Sequence, residues 1–183
     1  KLTHTYSTTQ KEFPIVEMIA GKVPAITGKV HLIVDAELKT DVRAENIVGS
    51  IPGTEKPDSF IVFTAHYDHL GKMGEDVYFP GANDNASGIA MLLSLARYFK
   101  EHPLRYTVVF IAFGGEEVGL LGSQYYVEHP YFSLNKIRFL TNLDIFGTGD
   151  DGIQIVNGSI HPKEFEEIKD INERNKQLVK EVK

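Results

Sequence analysis

The sequence predicts an α/β protein: a three-layer α/β/α sandwich around a mainly parallel mixed sheet. Three observations lead there. FIVFTAHYD (60–68), RYTVVFIAFGG (105–115) and IRFLTNLDIFG (137–147) are near-continuous apolar runs, the pattern of strands buried on both faces. Segments of helical composition separate them, and such alternation defines the class. Each run also ends in acids or histidine, and open parallel sheets gather ligand-binding groups at the carboxyl ends of their strands.

The elements follow in order. EFPIVEMIAGKVPAITG (12–28) mixes apolar residues with Pro14, Gly21, Pro24 and Gly28, which reads as a short helix and a turn. KVHLIVDAEL (29–38) alternates and is rich in β-branched residues, so it is a strand. AENIVGSIPG (44–53) is a second strand, and PGTEKPDS (52–59) a turn. After the first buried run, GKMGEDVYFPGANDNASG (71–88) is a long loop. ASGIAMLLSLARYFK (86–100) is a helix that stops near His102-Pro103. EEVGLLGSQYYVEHP (116–130) starts a helix that stops at Pro130. HPKEFEEIKDINERNKQLVKEV (161–182) is amphipathic, with Phe165, Ile168 and Ile171 at three-residue spacing, and is read as helical to the end. The 183 residues suit one domain. It divides into an N-terminal helix and strand region (1–45), a core (46–147) and a closing strand and helix (148–183).

Composition excludes several functions. The net charge is −6 with no basic block, so nucleic acid is not an expected partner. No apolar run approaches the ~20 residues that span a bilayer. Cysteine is absent, which removes thiolate zinc sites, cysteine nucleophiles and disulfides. A metal must then be held by His, Asp and Glu, a donor set suited to zinc, manganese or magnesium. The start, KLTHTYSTTQKEF, carries no apolar signal core and is compatible with a mature chain after signal removal. Lack of cysteine permits either compartment; export to a periplasm or medium is the favoured expectation over the cytoplasm. Oligomeric state is not encoded legibly.

The polar residues at the strand ends are His66, Asp68, Glu116, Glu117 and Asp144, with Asp84 in the loop before the long helix. Residues i and i+2 of a strand share a face, so Asp68 can accept a hydrogen bond from the His66 ring nitrogen that faces away from a metal. Taken alone, H-x-D is equally a polar strand end touching water. Gly114 and Gly115 free the chain to turn, so the adjacent glutamates need not point oppositely; an acidic helix start is the other reading. PGANDNASG is either a capping loop or a ligand-bearing one. Together the residues say more. Asp84, Glu117 and Asp144 are predicted to converge, and each like-charge pair at ~4 Å costs on the order of 4 kcal/mol at an effective dielectric of 20. Two divalent cations balance three carboxylates and one hydroxide.

TAHYDHLG (64–71), PGANDNASGIAMLLSLARYF (80–99), VVFIAFGGEEVGLLGS (108–123) and FLTNLDIFG (139–147) resemble the dizinc aminopeptidase family, peptidase family M28, which includes glutamate carboxypeptidases and glutaminyl cyclases. The four motifs stand in family order between Asn46 and Gly147. The resemblance implies that His66 and Asp144 bind one zinc, with Asp68 supporting His66. Asp84 bridges two zincs, often with a cis peptide after it, and Glu117 binds the second. Glu116 is the general base. The implied reaction is exopeptidase hydrolysis, by metal-bound hydroxide, of peptides with a free N-terminus. One feature departs from the pattern. The family places a last histidine ligand in a later segment, and His161 is the only histidine after Asp144. Its Pro162 neighbour marks it as a helix-start or turn residue, so the chain resembles a member truncated at the C-terminus; two zincs are expected in an intact site, and one or none in this chain, with zinc at the Glu117 side weak or absent. His69 is read as lining the pocket or structural, and His102 and His129, both before proline, as turn residues. The alternatives are a glutaminyl-peptide cyclotransferase-like enzyme with a single zinc, and a non-catalytic domain that retains the scaffold.

Overall fold

A computed structural model describes residues 29, 31, 33, 39, 41–73, 75–147 and 149–183. The predicted helix over 12–28 lies outside these residues, as does the strand over 29–38 apart from Lys29, His31 and Ile33. The described elements are β1 (Ile47–Ile51), β2 (Lys56–His66), β3 (Lys72–Met73), β4 (Val77–Tyr78), α1 (Ser87–Glu101), β5 (Tyr106–Phe113), α2 (Leu121–Glu128), β6 (Ile137–Asn142) and α3 (Pro162–Arg174).

The main sheet has the order β1-β5-β2-β6. β2 runs parallel to β5 and to β6, and β1 closes one edge antiparallel to β5. The alternating side chains of the two central strands build two cores. Val62, Val109 and Ile111 face Tyr126 of α2 and are joined by Phe60 and Phe132. Ala65, Val108 and Phe110 face Leu92 of α1, with Phe63 and Ile89 beside them. The two central strands are therefore covered on both faces, as a sandwich requires, while the edge strands β1 and β6 stay largely exposed. Val62, Val108, Val109 and Ile111 are fully enclosed, each contributing roughly 1.5–3 kcal/mol of apolar burial.

The two helix stops share one device. YFKEHP (98–103) ends α1 and YYVEHP (125–130) ends α2. In each, the histidine Nδ1 meets the carbonyl of the tyrosine four residues earlier, at 3.0 Å for His102 and 3.2 Å for His129. Each imidazole stacks on that tyrosine ring at 4.4 Å. The following proline cannot continue the helix.

Three local expectations are corrected. α2 begins at Leu121, because Gly119 (φ 108°) and Leu120 (φ 61°) hold Glu116–Leu120 in turns. α3 ends at Arg174 instead of running to the last residues. The Asn172 carboxamide turns the tail back, donating to the Val179 carbonyl at 3.0 Å and accepting from its N–H at 2.9 Å. Ile153 then pairs with Val182. Finally, the loop after β2 contains the two-residue strands of the β3–β4 hairpin.

Candidate metal centre

Parallel pairing brings the three strand ends together. His66 stands opposite Phe113, and Thr64 opposite Asn142. The ladder extends past the strands: Tyr67 N–H donates to the Phe113 carbonyl at 2.9 Å, and Leu143 N–H to the Thr64 carbonyl at 2.8 Å. The residues that follow, Asp68, Glu116, Glu117 and Asp144, emerge along one edge. Asp84 joins them from the turn Ala82–Ala86 before α1, where Asp84 and Asn85 leave helical dihedrals and are linked by a cis peptide bond.

Two groups of ligand atoms form there, each lying within 4.8 Å. One is His66, Asp84 and Asp144; the other is His69, Asp84 and Glu117. Asp84 belongs to both. His66 is buried, with 4% of its side chain exposed, and its Nε2 lies 3.1 Å from Asp84 Oδ1 and 3.4 Å from Asp144 Oδ1. Ligands bound tetrahedrally at 2.0–2.1 Å are separated by about 3.3 Å, so this spacing fits zinc. The nitrogen and oxygen donors, without thiolate, fit it as well. His161 belongs to neither group; it stands immediately before α3, with Pro162 in the first turn, as the sequence suggests.

The arrangement corrects the expectation for Asp68. The His66 ring does not use the Asp68 carboxylate as its close partner. Its Nδ1 meets the Asp68 backbone carbonyl at 3.1 Å, while the carboxylate stays 3.7 Å away. β2 ends at His66, so the two-residue periodicity of a strand no longer orients residue 68. The carboxylate instead accepts the N–H of Glu116 at 3.0 Å and of Glu117 at 3.1 Å. It thereby holds the turn that Gly115 (φ 73°) allows and fixes where both glutamates leave the backbone.

Asn85 is a residue the sequence reading missed. Its side chain is buried and makes three bonds. Nδ2 donates to the Leu143 carbonyl at 3.0 Å; Oδ1 accepts from Gly88 N–H at 3.0 Å and Ile145 N–H at 3.3 Å. One carboxamide thus caps the start of α1 and grips the chain on both sides of Asp144. Its position next to Asp84 was the sole local signal.

Electrostatics follow from the crowding. Burial, the strongest single influence on His66, acts to lower its pKa. Glu116, Asp144, the Asp68 carbonyl and Asp84 together outweigh it and hold the imidazole above its usual range. Burial raises the Glu116 carboxyl; His66 opposes that shift, while Glu117, Asp144 and Asp68 add to it. Both groups therefore keep their protons to higher pH than usual, and a cation bound at His66 must displace one.

Comparison with known proteins agrees. The model of Peptidase family M28 matches residues 46–182, and the chain belongs to that family. Aminopeptidase YwaD of Bacillus subtilis is 34% identical over 149 residues, covering 80% of this chain and 31% of that protein. A probable zinc metalloprotease of Leptosphaeria maculans is 37% identical over 136 residues, covering 72% of this chain and 32% of its own. The chain thus spans about a third of the length of these relatives. A leucine aminopeptidase precursor from Bacteroides thetaiotaomicron shares the fold, with a TM-score of 0.61 at 23% identity over 76% of this chain and 57% of that one.

Proposed function

We propose that the chain carries the dinuclear zinc centre of an aminopeptidase acting on peptides with a free N-terminus. The observation that supports this most is that ligand atoms of Asp84 lie within 4.8 Å of those of His66 and Asp144 in one group and of Glu117 in the other. A carboxylate has two oxygens and can serve one cation with each. On this reading His66, Asp84 and Asp144 hold one zinc, and Asp84 and Glu117 belong to the other. Zinc in these positions supplies Lewis-acid polarisation of the scissile carbonyl and acidification of water. Glu116 accepts the proton of the attacking water and delivers it to the leaving amine. Asp68 keeps Glu116 and Glu117 in register through their amides. His66 donates Nδ1–H to the Asp68 carbonyl, which leaves Nε2 free for the metal.

The name of the Bacillus relative, an aminopeptidase, supports an unblocked peptide as substrate. The single-zinc cyclase alternative makes no use of a shared Asp84 between two groups. Glu116→Gln tests the base. It is expected to abolish cleavage of free-amine peptides while leaving zinc content unchanged. Normal turnover in that variant contradicts the assignment.

A further inference from the structure

His69 is left unassigned by this account of the site, and its surroundings are specific. Its Nδ1 lies 2.7 Å from Glu117 Oε1, and both side chains are mostly buried, 22% and 18% exposed. The opposite edge of the ring rests on Gly81. A Cβ on that residue would come within 3.0 Å of His69 Cγ and Cδ2 and 3.1 Å of its Cβ. Gly81 also holds φ 66°, so a side chain there would be strained as well as crowded against the ring. The imidazole is clamped between a backbone without a side chain and the carboxylate expected to bind the second zinc.

Resting on the dinuclear reading above, we propose that His69 is the positioning residue of the Glu117 site: its Nδ1–H holds Glu117 Oε1 and so fixes the carboxylate beside Asp84. Titration of the variants below separates this role from direct ligation. Two ligands of one tetrahedral zinc stand about 3.3 Å apart, the spacing seen around His66. The 2.7 Å between His69 and Glu117 is that of a charge-assisted hydrogen bond. A ligand carboxylate bonded in this way is oriented before the metal arrives, and loss of such partners costs ~10–100-fold in metal affinity. Glu117 has one N–H donor at its backbone, into Asp68; His69 is the donor that fixes its side chain.

The test is zinc titration by calorimetry against a competing chelator, using the wild-type chain, His69→Ala and His69→Asn. Asparagine places an amide N–H near the position of Nδ1. The expected result is a loss of about 10–100-fold in one binding step for His69→Ala, with the other step unchanged and most of the loss recovered in His69→Asn. Unchanged binding in His69→Ala overturns the proposal. So does loss of one zinc that asparagine does not restore, because that marks His69 as a ligand. Wild-type chain that takes up fewer than two zincs counts against the dinuclear reading. In that event the proposal is decided on the zinc-free chain by nitrogen-15 spectra of the His69 ring. A proton on Nδ1 supports it; a neutral ring protonated only on Nε2 overturns it.

Discussion

Asn85 grips Asp144 from across the site: it donates to the carbonyl of Leu143 and accepts the N–H of Ile145, the residues on either side. Because Asn85 directly follows Asp84, one buried amide sets the relation between two of the expected zinc ligands. Asn85→Ala leaves a carbonyl and two N–H groups without their partner. At ~1–3 kcal/mol for each buried group left unsatisfied, with partial relaxation, the expected loss of stability is about 2–4 kcal/mol. Thermal and denaturant unfolding measure it, and an unchanged melting temperature contradicts the clamp.

Asp84 is expected to differ from every other ligand in what its removal does. Asp84→Ala should lose both zincs, whereas Asp144→Ala and Glu117→Ala should each lose one. Titration to saturating zinc, beside the wild-type chain, reads the stoichiometry, because the Glu117 side is expected to bind weakly. Retention of two zincs by Asp84→Ala denies it a shared role.

Asp68 is predicted to act on the glutamate turn more than on the His66 ring. In Asp68→Ala the amide protons of Glu116 and Glu117 lose their acceptor and should exchange faster by roughly one to two orders of magnitude, for about 1.5–3 kcal/mol of charged hydrogen bonding. Hydrogen exchange followed by NMR checks this. Unaltered exchange at both amides removes the proposed function of the carboxylate.

The pH dependence follows from two groups whose pKa is raised in the folded chain, His66 and Glu116. Their contribution to stability is complete below the ordinary values of 6.5 and 4.5, and it is lost as pH rises through the folded ones. Zinc requires deprotonated ligands. The rise in melting temperature caused by zinc is therefore expected to grow as pH climbs above 6.5 and through the raised titration of His66. Melting curves with and without zinc decide, and a zinc effect that shrinks with pH reverses the sign.

Much of the architecture could be read from residue patterns. The runs ending at His66 and Phe113 are buried on both faces, so their continuous apolar character announced them; the run ending at Asn142 reads the same way but forms the edge strand β6, with Phe139 and Leu140 38% and 47% exposed. The prolines at 103 and 130 stopped α1 and α2 where expected. What escaped depended on partners distant in the chain. Asn85 is bonded to residues 58 and 60 positions away, and His69 to one 48 positions away. Asp68 was oriented by strand periodicity, which fails because β2 stops two residues before it. The end of α3 carries neither glycine nor proline; Lys176 and Gln177 adopt positive φ there, supported by Asn172, and no sequence rule anticipates that.

The central claim is that two cations share Asp84. Anomalous diffraction at the zinc edge, from crystals equilibrated with zinc, tests it most directly. The account predicts two peaks about 3.5–4 Å apart, one beside His66 and Asp144 and one beside Glu117, with Asp84 between them. A single peak, or a pair that Asp84 does not touch, contradicts it.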